Sequence, residues 1–170
     1  MKRFEALFAP HLQAAYTLAR WLTASDSAAH DVVQESAYRA FKYLDSFDGE
    51  NPRAWFLSIV RNESMNWLRL AAHPPWLTMG EDISDDDLAL GHQQTPEWLA
   101  IQVEDAAVLQ RALQALPPGY REVIVLKDLE GLPYKDIAQV TGIALGTVMS
   151  RLSRARAALR AQLLQGGIDD

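Results

Sequence analysis

The stretch Tyr134-Lys-Asp-Ile-Ala-Gln-Val-Thr-Gly-Ile-Ala-Leu-Gly-Thr-Val-Met-Ser-Arg-Leu-Ser-Arg-Ala-Arg156 decides how this chain folds. It reads as two short helices joined by a glycine turn, the second ending in arginines. The first carries its apolar side chains at Ile137, Ala138 and Val140 and stops at Gly142, where a left-handed backbone is tolerated. The chain then reverses through Ile143-Ala144, and the second helix starts near Leu145. At 100° per residue, Val148, Leu152, Ala155 and Leu159 form one apolar stripe, and Thr147, Ser150, Arg151 and Arg154 line another face. One face packs; the other is free to enter a groove. No acidic residue lies between Ile143 and Ile168, whereas Arg151, Arg154, Arg156 and Arg160 all do. A helix-turn-helix with this charge suits a phosphate-bearing polymer, and the reading is DNA contact. The alternative is an ordinary amphipathic helix with a solvated basic face.

Composition sets bounds around that motif. A chain of 170 residues with 49% hydrophobic side chains can fill one or two small cores. There is no cysteine, so no disulfide or cysteine-based metal site can hold the fold. His11, His30, His73 and His92 are scattered at no metal-ligand spacing, and neither a metal nor another cofactor is expected. No apolar run reaches the length of a membrane span and no signal-peptide pattern opens the chain, so the expectation is a cytoplasmic protein without membrane insertion.

The net charge of −6 runs against nucleic acid until its distribution is examined. Residues 1–72 balance eight basic against eight acidic side chains, whereas 73–96 hold five acids (Glu81, Asp82, Asp85, Asp86 and Asp87) and no Lys or Arg. The remainder is again near balance, with its positive charge gathered on the last helix. Few phosphates could be neutralised by the chain alone, so weak independent affinity for DNA is expected.

Helical periodicity extends along the chain. A first helix is predicted from Phe4 to Leu22, with Phe4, Leu7, Phe8, Leu12, Ala15, Ala19 and Leu22 recurring at helical spacing. A second opens near Asp26, read as its cap, and runs to about Leu44 with Ala29, Val33, Ala37, Ala40, Phe41 and Leu44 inward. After the turn 45–50, Asn51-Pro52 starts a third, which carries Trp55, Phe56, Ile59, Val60 and Leu68 to about Ala72. Residues 73–95 read as an acidic linker. Thr95-Pro96 repeats the cap-and-proline start, leading a helix through Val103, Ala107, Leu109, Leu113 and Leu116. Pro117-Pro118-Gly119 then precedes a helix from Tyr120 to Glu130, with Val123, Ile124, Leu126 and Leu129 inward and Gly131 at its end. The predicted class is all-α, with helical domains at 1–72 and 96–170 about the linker.

Four motifs in this order resemble the extracytoplasmic-function sigma factors of the bacterial sigma-70 class. The family's D-x-V-Q-E pattern is similar to Asp31-Val-Val-Gln-Glu35 followed by Tyr38-Arg-Ala-Phe41, and its R-A-W-L-x-x-I-A-R-N to residues 53–62. Its A-L-x-x-L-P-x-x-x-R-E-V-x-x-L resembles residues 112–126, and its G-T-V-x-S-R-L-x-R-A-R resembles 146–156. The resemblance covers nearly the whole chain, as sigma regions 2 and 4.

The resemblance implies a factor that binds core RNA polymerase, through the β′ clamp helices and the β flap, and directs it to promoter DNA with −10 and −35 elements. Asp31, Gln34, Glu35 and Tyr38 fall at i, i+3, i+4 and i+7 and would meet the clamp helices; a solvated helix face is the alternative. Phe47, Asp48, Asn51, Arg61, Asn62 and Asn66 would form the −10 site, Phe47 either stacking on an extruded base or anchoring its loop in the core. Trp55 and Trp67 read as core. Thr147, Ser150, Arg151, Arg154 and Arg156 would meet the −35 duplex, with Arg151 and Arg154 the candidates for guanine edges. Met149 stands where many relatives have Arg or Lys. The resemblance further implies control by an anti-sigma protein, and Asp85-Asp-Asp87 would either mimic nucleic-acid charge or simply belong to a tether. A stand-alone helix-turn-helix regulator is the other function class, but it leaves the motifs of the N-terminal half unexplained. An enzyme is not expected, because no nucleophile-and-base set or glycine-rich phosphate loop is present.

Overall fold

The computed structural model describes residues 1–72 and 106–166. Among them every regular element is helical: α1 (Lys2–Phe8), α2 (Leu12–Thr23), α3 (Asp26–Lys42), α4 (Pro52–Ala72), α5 (Ala106–Gln114), α6 (Pro118–Ile124), α7 (Tyr134–Thr141) and α8 (Leu145–Gly166). The predicted linker 73–95 and the helix start at Thr95-Pro96 lie outside the described residues.

The helix predicted over 4–22 is broken. Pro10 has no N–H to continue the ladder, and the chain passes through a 3-10 turn at Ala9–His11 before α2 resumes. The apolar period runs through the break, which is why the sequence concealed it. Leu12, expected inward, is exposed beyond it. Further on, Ala24 takes a left-handed conformation (φ 57°) and ends α2.

The N-cap of α3 is Ser25, not Asp26: the Ser25 Oγ accepts from the Ala28 N–H at 3.2 Å. Asp26, one residue inside, receives the Arg20 Nε at 2.6 Å and the Tyr16 hydroxyl at 3.1 Å. These hydrogen bonds hold its carboxyl below the ordinary carboxylate range. Thus α2 and α3 are tied at their shared corner. Phe41 also departs from expectation, lying half in solvent with its ring edge against Phe4.

Helix α4 begins where the Asn-Pro pair predicts. The Asn51 side chain accepts from the Ala54 N–H at 3.2 Å, with its own backbone left-handed at φ 48°, a conformation Asn tolerates better than most residues. Phe8, Leu18, Leu22, Phe56, Leu57 and Val60 fill the N-terminal core between α1, α2 and α4, with α3 packed across α2 and α4.

In the C-terminal half α5, α6 and α7 surround α8, whose stripe Val148, Leu152, Ala155 and Leu159 is buried as predicted. The helix expected over 120–130 starts two residues earlier and widens into a π-helical stretch at Val125–Leu129. There Glu130 N–H reaches the Val125 carbonyl at 2.9 Å and Leu132 N–H reaches that of Leu126 at 3.0 Å. The extra residue in the turn rotates Leu129, expected inward, to the surface, and Gly131 at φ 70° releases the chain into α7. Gly142 ends α7 in the left-handed region at φ 73°, its N–H on the Ala138 carbonyl at 2.9 Å.

The two halves are in contact. Helix α7 lies against α4 and α6 against α2, so that the buried apolar side chains of both halves form one continuous cluster.

Candidate nucleic-acid and polymerase interface

Three surfaces carry the residues singled out in the sequence. On α3, Asp31, Gln34, Glu35 and Tyr38 are all exposed and share one face, the arrangement their spacing predicts. The Tyr38 side chain is 61% exposed, an aromatic ring that packs into no core. Arg39 flanks the face, its Nε 3.0 Å from Glu35 and 2.9 Å from Glu63 on α4. That bridge fixes Glu35 against α4 without removing it from solvent. An acidic and aromatic stripe of this kind offers both charge and stacking area to a basic helix.

The second surface is the turn before α4 together with the outer face of α4. Asp48 accepts from the Glu50 N–H at 2.8 Å, closing an Asx turn, and Asn51 is occupied in capping α4. Asn62 and Asn66 project into solvent one turn apart. Phe47 does not join them. It is 5% exposed, with its ring centroid 5.0 Å from Trp55 and 5.9 Å from Phe8. In this structure its ring is placed as the anchoring role requires, completing an aromatic cluster built by Phe4, Phe8, Trp55 and Phe56. Trp55 and Trp67 pack on the core as expected.

Arg61, assigned to the same surface, is engaged elsewhere. Its Nε donates to the Glu122 Oε2 at 2.7 Å and its Nη2 to Oε1 at 3.1 Å, a bidentate pair between α4 and α6. Glu122 is completely buried.

The third surface is the free face of α8. Thr147, Met149 and Ser150 are exposed near its N-terminus, and Arg151 and Arg154 are half-buried one turn on. The Arg151 guanidinium lies beside Gly119 at the start of α6. The Nε of Arg154 is buried without a hydrogen-bond partner. Arg156 departs from its expected role. It donates from Nη2 to the Asp128 Oδ1 at 2.6 Å and from Nε to Oδ2 at 3.1 Å, and Asp128 is 4% exposed. These hydrogen bonds raise the Arg156 pKa above its ordinary value. Arg156 therefore fastens α8 to the π-helical stretch in this structure.

Sequence reasoning missed several residues altogether. Arg121, 7% exposed, donates Nη1 to the Trp21 and Leu22 carbonyls at 2.9 and 3.1 Å, and Nη2 to the Leu116 carbonyl at 3.1 Å. Trp21 and Leu22 belong to the last turn of α2, whose carbonyls lack intrahelical donors and carry the negative end of the helix dipole. Burial lowers the Arg121 pKa from its ordinary value. Asp136, also buried, faces Arg53 at 3.8 Å. The available signal was a charged pair, Arg121-Glu122, set in the apolar run from Tyr120 to Leu126; nothing in the sequence names the partners. No group of three or more metal-ligating side chains is assembled among the described residues, and no described helix is long and apolar enough to cross a membrane.

The architecture is that of an all-helical factor with a helix-turn-helix in its C-terminal half and a separate polar interface in its N-terminal half. Residues 7–73 match Sigma-70 region 2 and residues 106–159 match Sigma-70, region 4. The ECF RNA polymerase sigma-E factor of Escherichia coli strain K12 is 34% identical over 134 residues, covering 76% of this chain and 70% of that protein. The ECF RNA polymerase sigma factor SigE of Mycolicibacterium smegmatis is 31% identical over 160 residues, and this chain spans 61% of its length. Among solved structures, the sigma factor RpoE in complex with the anti-sigma factor NepR from Bartonella quintana superposes with a TM-score of 0.70 at 30% identity, covering 96% of this chain and 98% of that one. CnrH in complex with the cytosolic domain of CnrY gives a TM-score of 0.69 at 30% identity, covering 97% and 90%. This chain belongs to the ECF RNA polymerase sigma factor family.

Proposed function

We propose that the chain is a promoter-specificity subunit: it binds core RNA polymerase in the cytoplasm and carries it to promoters through a −10 contact in the N-terminal half and a −35 contact on α8. The chemistry of RNA synthesis remains with the polymerase. The observation that carries this reading is the coexistence of the exposed α3 stripe with the free face of α8 in one chain. A stand-alone regulator needs only the second. By analogy with the complex of RpoE with the anti-sigma factor NepR, an anti-sigma protein holds the factor inactive by covering these surfaces.

In this reading the α3 stripe meets the β′ clamp helices, and the C-terminal half meets the β flap. Asp48, on a turn held by Asn51 and Phe47, and Asn62 and Asn66, on the outer face of α4, face the opened −10 strand. Thr147, Ser150, Arg151 and Arg154 face the −35 major groove, where a bidentate arginine–guanine contact contributes about 1–3 kcal/mol of discrimination.

Two sets of substitutions separate the tasks. Glu35→Lys and Tyr38→Ala are expected to weaken binding to core polymerase at least tenfold in a fluorescence titration and to leave the helical signal intact. Arg151→Ala and Arg154→Ala are expected to spare that binding while lowering transcription from −35-dependent promoters about 10- to 100-fold each. Equal loss of polymerase binding in both sets contradicts the division.

The direct test is transcription by core polymerase on a library of random promoter sequences, with and without the purified chain. Start sites that depend on the chain and share spaced −35 and −10 sequences are the expected result. A folded chain that changes no start site, yet binds duplex operators tightly by itself, overturns the reading.

A further inference from the structure

Two apolar side chains near the start of α8 take no part in the contacts described so far. Leu145 and Met149 are 48% and 40% exposed, on a helix whose apolar stripe Val148, Leu152, Ala155 and Leu159 is buried. Spaced i and i+4, they lie on one side of α8, about 6 Å apart along its axis. At 100° per residue Ser150 lies opposite the buried stripe, with Met149 on one flank of it and Thr147 and Arg154 on the other. The outward face therefore has a polar, cationic edge and an apolar one. Val148, fully buried beside Met149, fixes where both edges point.

The surroundings restrict what can cover the apolar edge. Between Ile143 and Ile168 the chain carries four arginines and no acid, which favours a polyanion and disfavours a second copy of the same basic face. In the major groove of DNA the base edges are donors and acceptors, and the one apolar group is the C5 methyl of thymine. A methionine or leucine laid on a guanine, adenine or cytosine edge leaves a buried polar group unpaired. Laid on a thymine methyl, it buries apolar area instead. The unbranched thioether chain of Met149 adapts readily to such a contact. A lysine or arginine at this position would add a phosphate or guanine contact; methionine adds neither.

We propose that Leu145 and Met149 form a thymine-reading edge: in the −35 duplex the C5 methyls of two thymines, within two base-pair steps of each other, pack on them, and guanine selection is left to Arg151 and Arg154. The proposal rests on the sigma-factor reading and specifies the base chemistry that this side of α8 selects. Two base-pair steps span about 7 Å, close to the separation of the two side chains along the helix. Selection by methyl contact uses neither a charge nor a hydrogen bond. It therefore persists as salt is raised, while the overall affinity for DNA falls.

Replacing thymine by deoxyuridine removes the C5 methyl and keeps every hydrogen-bonding group, so it isolates this contact. The full chain is combined with core polymerase, and binding is titrated on a promoter that the chain selects, with each thymine of the −35 element replaced in turn. One or two of these replacements are expected to weaken binding about three- to fivefold each, the effect of one buried carbon, with the ratio unchanged between low and high salt. Met149→Ala is expected to abolish the response at one position and Leu145→Ala at the other. Both residues are exposed, so circular dichroism and the titration with core polymerase should match the parent. The thymine edge is overturned if no replacement matters, or if the response survives in the variant carrying both substitutions. It is equally overturned if the two variants lose polymerase binding or self-association while their response to deoxyuridine stays that of the parent, because the patch then serves a protein contact. If no promoter depends on the chain, the sigma reading fails, and the same replacements are made in duplexes that the chain selects alone. A response there that Met149→Ala removes leaves the thymine edge standing; no duplex binding at all overturns both.

Discussion

Arg156→Ala is expected to destabilise the C-terminal half by about 3–5 kcal/mol, the cost of removing one partner from a buried ion pair. Asp128, 4% exposed beneath the Arg156 guanidinium, would lose the donors now at 2.6 and 3.1 Å from its two oxygens. A helical unit the size of residues 106–166 has little stability to spare, so the loss approaches its whole reserve. Urea unfolding followed by circular dichroism should show this transition moving to much lower urea or vanishing, with the N-terminal transition less affected. The pair variant Arg156→Leu with Asp128→Leu should recover much of the loss, since apolar replacements of buried pairs are often neutral. A single variant within about 0.5 kcal/mol of the parent, as ordinary surface substitutions are, would show that the pair contributes little to stability and leave the guanidinium free to exchange Asp128 for a phosphate. The outcome bears on whether α8 offers DNA three of its arginines, Arg151, Arg154 and Arg156, or only the first two.

Arg156 marks the limit of what periodicity can convey. The resemblance grouped it with the residues that meet the −35 duplex, but its partner Asp128 stands 28 residues away, on a stretch that the sequence reads as plain α-helix. The π-helical turn has no local signature, and it is this turn that brings Asp128 beneath α8. Arg121 and Arg61 are alike in this respect, with partners 99 and 61 residues distant. Such contacts depend on how the halves meet. By contrast α7, Gly142 and the apolar stripe of α8 were legible because each depends on local rules: a 3.6-residue period and a left-handed stop. The start of α4 was legible for the same reason, since Asn51-Pro52 combines a side-chain acceptor with a residue that lacks the N–H. The α3 stripe was readable as a stripe from spacing alone, but only the resemblance gave it a partner.

Phe47→Ala is expected to cost the N-terminal half about 3–5 kcal/mol, the usual range for deleting a buried aromatic ring. The ring touches Phe8 and Trp55 at centroid distances of 5.9 and 5.0 Å, and edge and tilted pairs of this kind add about 0.5–1.5 kcal/mol each beyond the area they bury. The turn that presents Asp48 would lose its anchor, so −10 recognition should fail together with stability. Phe47→Leu separates the two effects. It keeps apolar volume in the same site and, with repacking of the cluster, should cost about 1–2 kcal/mol. If Phe47 only anchors the loop, the leucine variant opens promoters nearly as well as the parent once it is folded. If the ring must leave the core to stack on an extruded base, leucine retains the thermal transition and loses promoter opening, because base–aromatic stacking supplies about 1–3 kcal/mol that an aliphatic side chain does not. Thermal unfolding and permanganate footprinting of the opened −10 strand, run on both variants, distinguish these outcomes. The first is expected, since freeing the ring would open a void beneath Phe8 and Trp55 at the cost already assigned to Phe47→Ala, more than one stacked base returns.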